Sequence, residues 1–320
     1  MSQNTIKGQN SESSEEFHNT WLFSEESFLS KCPSRKQMTL QQDLKVRELI
    51  YDFLLKLGSK LKLDGRTILA ATIYINRFYM RTPITTSKYF VACAAISISC
   101  KLHDTYRPSD KIALTACMLK NPGKQIDQHS SVFWQWRDQL LYREELMLKL
   151  LNFELNVELP YDFCEELMAG KDETSENGFY SKLPDILKNA VSKVELASSL
   201  PVLVAFESRT LFGTMLVLTV FEAQSKFDTL DSLYLPKEYL ETQLRVSVNE
   251  CYLCYKYLMR LRSACEDPKL PSHKPFVTKI GKISKEDFYR IADGADKAVR
   301  SIVSDEETQE GEVLDLLDDI

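Results

Sequence analysis

Apolar residues recur at helical spacing along most of this chain and divide it into blocks. Between Leu44 and Phe153 five such segments follow one another. In the first, Val46, Leu49, Ile50, Phe53, Leu54 and Leu57 repeat at i, i+3, i+4, i+7 and i+8, one face of an α-helix that ends near Gly58. Asp64-Gly65 makes a turn, and a second helix over Thr67–Met80 is stopped by Thr82-Pro83. The third segment, S-K-Y-F-V-A-C-A-A-I-S-I-S-C-K, is apolar on nearly all sides, with Ala92, Ala94, Ala95, Ser97 and Ser99 interleaved. A β-branched run of this kind also suits a strand, but its length without Gly or Pro favours a helix. Its small residues let neighbouring backbones come close, so it is expected at the centre of a bundle. A short helix around Ser109–Leu119, an N-P-G-K loop and a helix from Val132 to Leu151 complete the block, the last with Leu140, Leu141, Met147, Leu148 and Leu151 on its core face.

The order repeats more faintly after Pro160. Tyr161–Ala169 reads as a short helix, Leu183–Leu200 as amphipathic, Arg209–Gln224 as buried, and Lys237–Ala264 as one long closing helix. Ahead of the first block, Ser24 is placed to cap a short helix preceded by Trp21, Leu22 and Phe23, and Pro33 breaks it. Near the end, S-K-E-D from Ser284 matches a capping box, with Phe288, Ile291, Ala295, Val299 and Ile302 on one face beyond it. The expectation is an all-α protein. Its parts are a disordered N-terminus (1–20), a first bundle with its N-terminal helix (21–158), a second bundle (159–266), a linker and C-terminal helix (267–303), and an acidic tail (304–320).

Composition fits two packed units: 320 residues, 44% hydrophobic and 27% charged. No apolar run approaches the ~20 residues that span a bilayer. The polar start has no apolar core for a secretory signal, so an intracellular chain is expected, and its eight cysteines are expected to be reduced thiols. The net charge is −6, but eight acidic residues and no basic ones follow Arg300. Residues 1–300 therefore balance at +2, which argues against nucleic acid as the main partner.

Groups that do chemistry are scarce. No phosphate-binding glycine pattern is present. Cys251-Tyr-Leu-Cys254 is a lone C-x-x-C on an amphipathic run, with His18, His103, His129 and His273 far apart, and reads as packing rather than a metal site. Nothing singles out a nucleophile and its base. More telling are charged and polar residues embedded in apolar helices: Arg47, Asn76, Lys101 and Glu144. Lys101 and Glu144 fit an internal salt bridge, and equally fit an outward-facing edge that bonds to a partner's backbone.

These residues carry a resemblance. Arg47, then Asn76-Arg77-Phe78, then Lys101, then Glu144 before L-K-L-L-N-F-E-L resembles the cyclin box, most closely that of the transcriptional T- and K-type cyclins. W-L-F-S-E-E-S-F-L-S-K-C-P-S-R is similar to their entry segment, and T-I-L-A-A-T-I-Y-I-N-R-F-Y-M to their second helix. The likeness is strong to residue 165 and faint to Ala264. It implies two tandem five-helix cyclin-box bundles and a nuclear regulatory subunit, not an enzyme. That subunit would activate a cyclin-dependent kinase acting on the RNA polymerase II C-terminal domain in elongation, as in fungal members of the class.

The implied assembly is a heterodimer with the kinase, needing no cofactor, metal or membrane, with Lys101, Glu144, Arg47 and Asn76 at the kinase interface. Two departures stand out. The acidic pair after the helix-three lysine is replaced by His103-Asp104, and the substrate-docking M-R-A-I-L reads V-R-E-L-I, with Phe53 where a Trp is expected. Rival readings are a C-, H- or L-type cyclin, or a DNA-binding adaptor like the core of general transcription factor IIB, which shares the fold but calls for a basic body.

Overall fold

The computed structural model describes residues 20–85, 87–169, 178–226, 233–266 and 275–293. Among them every regular element is helical. Ser24 Oγ accepts from Ser27 N and starts α1 (Glu25–Leu29), and Pro33 opens a 3₁₀ turn, Pro33–Lys36. Helix α2 (Leu40–Leu61) begins with a full capping box between Thr39 and Gln42. It ends on Lys62 in the left-handed region (φ 55°), where Arg107 donates to the carbonyls of Leu61 at 3.0 Å and Lys62 at 3.2 Å. The Asp64 carboxylate caps α3 (Gly65–Arg81) through Thr67 N at 2.8 Å.

Helix α4 (Lys88–Leu102) is the run expected at the centre. Val91 through Cys100 are all buried, and α2, α3, α5 (Ser109–Lys120) and α6 (Ser131–Leu150) surround it. The second unit has α7 (Pro160–Ala169), α8 (Phe179–Ala197), the buried α9 (Ser208–Lys226) and α10 (Val248–Cys265), with α11 (Lys285–Asp293) against α9 and α10. The two units share a buried seam. Helix α2 packs on α10, and α3 packs on the 3₁₀ turn Pro201–Val204, to which Phe23 N also donates at 2.7 Å.

Two expectations need correction. The closing run is not one helix from Lys237 to Ala264. A single π-helical turn, Leu240–Leu244, ends at Arg245 in the left-handed region (φ 58°). Helix α10 then restarts behind its own capping box, Ser247 with Glu250. The S-x-x-E pattern inside the run was the signal for that new start. The apolar stripes also over-assigned the core, since Leu49 is 44% and Leu141 39% exposed. Helix α2 instead turns Asp43, Arg47, Glu48 and Tyr51 inward as well, because the seam covers a second side of it. The N-terminal segment 1–19, Ala295, Val299, Ile302 and the acidic tail lie outside the described residues.

Candidate functional site

Lys101 lies in the last turn of α4, where the helix C-terminus favours a cation, and Glu144 faces it from α6. The Lys101 ammonium donates to Glu144 Oε1. The pair is lopsided: the Lys101 side chain is 46% exposed and that of Glu144 11%. Glu144 Oε2 is buried and has no hydrogen-bond partner among the described residues. A buried carboxylate with one idle oxygen holds acceptor capacity that the chain itself does not use. Of the two readings open at the sequence level, the ion pair is the one seen directly, and it forms with Lys101 half-exposed. Apolar side chains are exposed nearby in the chain, with Leu102 (49%) next to Lys101, Leu141 one turn before Glu144 on α6, and Phe153 (67%) just past the end of that helix.

Arg47 and Asn76 do not face outward. They are 2% and 3% exposed and bond to each other, Arg47 Nη1 donating to Asn76 Oδ1 at 2.7 Å. Arg47 Nε donates to Asp43 Oδ1 at 2.6 Å, and Arg35 Nη1 donates to Asp43 Oδ2 at 2.9 Å. The Arg47 guanidinium lies over the rings of Phe28, at 5.2 Å, and Tyr79, at 5.7 Å. Asn76 Nδ2 reaches the Ser198 carbonyl in the second unit at 3.2 Å. So the expectation of a direct interface role for these two is corrected: they form a buried hub joining α1, α2, α3 and the end of α8. The reason is desolvation, since a buried guanidinium is tolerated only where carboxylate and amide acceptors surround it.

Sequence reasoning missed Asp43 and Arg35 in this hub. The D-x-x-x-R spacing of Asp43 and Arg47 was the available signal, an i, i+4 pair on one helix face. Trp21 is 2% exposed, with the Arg77 and Arg81 guanidinium groups over its indole. Burial pushes the Arg77 side chain down to about 10. Cys251 and Cys254 are core residues of α10, and burial raises both thiols, that of Cys251 to about 12.

Residues 19–156 match the family model described as the cyclin N-terminal domain. Cyclin pch1 of Schizosaccharomyces pombe is 30% identical over 146 residues, covering 45% of this chain and 43% of that protein. Cyclin-T1-3 of Arabidopsis thaliana is 32% identical over 151 residues, covering 44% and 46%. Cyclin-T1 of Mus musculus is 25% identical over 166 residues, covering 50% and 23%. The chain thus spans less than half the length of these relatives. Among solved structures, a chain of the yeast RNA Pol II CTD kinase CTDK-1 complex superposes with a TM-score of 0.59 at 13% identity, over 84% of this chain and 81% of that one. A chain of the CAK complex from Chaetomium thermophilum bound to ATP-gamma-S gives 0.52 at 16% identity, over 85% and 86%. The sequence likeness stops near the end of the first unit, whereas the shared fold runs through both.

Proposed function

We propose that this chain, whose residues 19–156 form a cyclin N-terminal domain of the transcriptional T/K type, is the regulatory subunit of a cyclin-dependent kinase. That kinase acts on the C-terminal domain of RNA polymerase II during elongation, in the nucleus. The observation that carries the reading is the Lys101–Glu144 edge, with its idle buried acceptor and exposed Leu102, Leu141 and Phe153. The relatives named Cyclin pch1 and Cyclin-T support the kinase class, and the fold shared with a chain of a CTD kinase complex agrees with it.

In this reading the first unit packs against the kinase's αC helix and holds its Glu toward the catalytic Lys, assembling the phosphate-positioning parts. The cyclin contributes no catalytic group. Lys101 and Glu144 bond to the kinase backbone, while Arg47 and Asn76 act from within by holding α2 and α3 in place. The test is co-purification of the full chain from cells, identification of the bound kinase by mass spectrometry, and reconstitution of its activity with Lys101→Ala and Glu144→Ala. Each substitution leaves a desolvated partner unpaired and should weaken association by about 2–5 kcal/mol. Full activation by both variants, each folded, would overturn the interface.

A further inference from the structure

A cleft of about 140 Å³ opens where α2, α3 and α8 meet, away from the Lys101–Glu144 edge. Its walls are the stems of Leu55, Ile68 and Leu69, the ring of Tyr51, and Ser198 and Glu195 at the end of α8. Three of the lining residues belong to the buried core: Tyr51 is 4% exposed, Leu69 1% and Ser198 1%. The Tyr51 and Ser198 hydroxyls both donate to the Glu195 carbonyl, at 2.7 Å each, so their donors are occupied. What remains open on the wall is the Glu195 carboxylate. Its Oε1 accepts from the Tyr161 hydroxyl, and Oε2 has no hydrogen-bond partner among the described residues.

That carboxylate is under-compensated. No cation among the described residues pairs with it. Arg66, which stacks over the Tyr161 ring at 5.3 Å, donates to Asp162 instead. The N-terminus of α3 lies close, since a Cβ on Gly65 would stand 2.3 Å from Glu195 Oε1 and from the Tyr161 oxygen. Its positive end is already taken by the Asp64 cap. Tyr161 feels the charge too: burial first, and then the hydrogen bond to Glu195, push its phenol up. A half-buried anion with one neutral donor, beside an apolar slot, is complementary to a cation carrying an aliphatic stem. The space is close to the ~150 Å³ that admits a benzene-sized guest.

We infer that this cleft is a binding site for an alkylammonium group, its methylenes against Leu55, Ile68 and Leu69 and its charge on Glu195 Oε2. The guest is either a lysine side chain of a partner protein or a free aliphatic amine, since both present the same chemistry. The test uses the full chain labelled with ¹⁵N and titrated with n-butylammonium at pH 7, following the Gly65 and Ser198 amides. Saturable shifts in the millimolar range are expected, at least tenfold weaker with the neutral isostere n-butanol and at least tenfold weaker for Glu195→Gln. If Glu195→Gln proves unfolded, Leu55→Phe, which fills the slot and keeps the charge, should abolish the shifts. Comparing N-acetyl-lysine N-methylamide with 1,5-diaminopentane then tells a side-chain guest from a free amine by whichever binds tighter. No saturation, equal affinity for n-butanol, or binding unchanged in Glu195→Gln or Leu55→Phe would overturn the site.

Discussion

At the residue scale, two ion pairs of this chain look alike on paper and should behave oppositely. Asp43 is fully buried and is neutralised by Arg47 and Arg35. Arg47→Ala removes one partner of a desolvated carboxylate and frees Asn76 Oδ1 at once, so unfolding free energy should fall by roughly 3–5 kcal/mol in a denaturant titration. Lys101→Ala removes a half-exposed ammonium from a pair that only Glu144 buries, and unfolding free energy in the same titration should fall by less than for Arg47→Ala. A large loss for Lys101→Ala would make the edge structural rather than an interface. His103 sets a pH dependence. Its pKa is lowered, first by burial and then by the positive charge of Arg66. Because the folded value lies below the unfolded one, near 6.5, its contribution is complete above that pH. It is lost as pH falls toward the folded value, when the unfolded chain binds the proton more readily. His103→Gln should therefore lose less stability than the parent between pH 7 and pH 5, measured by thermal melts across that range.

At the element scale, helix boundaries are decided by caps rather than by apolar periodicity. The Ser247–Glu250 box starts α10 after a left-handed Arg245, and Ser247 Oγ receives Glu250 N at 3.1 Å. Ser247→Ala should cost about 0.5–2 kcal/mol of stability in chemical denaturation. No measurable change would mean that tertiary packing alone holds the break. The same logic applies to the far end of α2. There a left-handed lysine is stabilised from α2's own neighbourhood by Arg107, a residue 45 positions after Lys62. Nothing local to Lys62 announces that cap.

At the scale of the whole molecule, the seam decides how the chain behaves. Asn76 to Ser198, Tyr51 to Glu195 and Phe23 to Val204 tie the first unit to the second through hydrogen bonds with little exposure. Splitting the units would strand these donors and bare Arg47 and Asp43, so the chain should unfold as one body. All three tryptophans (Trp21, Trp134, Trp136) lie in the first unit, which makes the check simple. Tryptophan fluorescence and far-ultraviolet circular dichroism should give coincident transitions, and a separate second transition would contradict the coupling. Charge acts on the same scale. With +2 over residues 1–300, duplex DNA should bind weakly and without sequence preference at physiological salt. Tight, sequence-dependent binding in a gel shift would favour the DNA-binding adaptor reading. On the proposed function, deleting residues 304–320 should leave helical content and kinase binding intact, and loss of kinase binding on that deletion would make the tail part of the interface.

The number and order of helices, the buried character of α4 and the identity of the embedded polar residues could be read from the chain alone. Periodicity and composition report how much apolar surface each segment must hide, and α4, apolar on all sides, has only one place to go. That Lys101 and Glu144 could meet was also legible, because their spacing is carried on two rigid helices. Which face each helix hides was a different matter. Leu49 and Leu141 look like core and are exposed, while Asp43 and Glu48 look like surface and are buried. Their fate depends on what covers α2 from the second unit, and a helix's own sequence holds no record of its neighbour. The hub, the seam and the cleft beside Glu195 join residues more than a hundred positions apart, so only the folded packing could decide them.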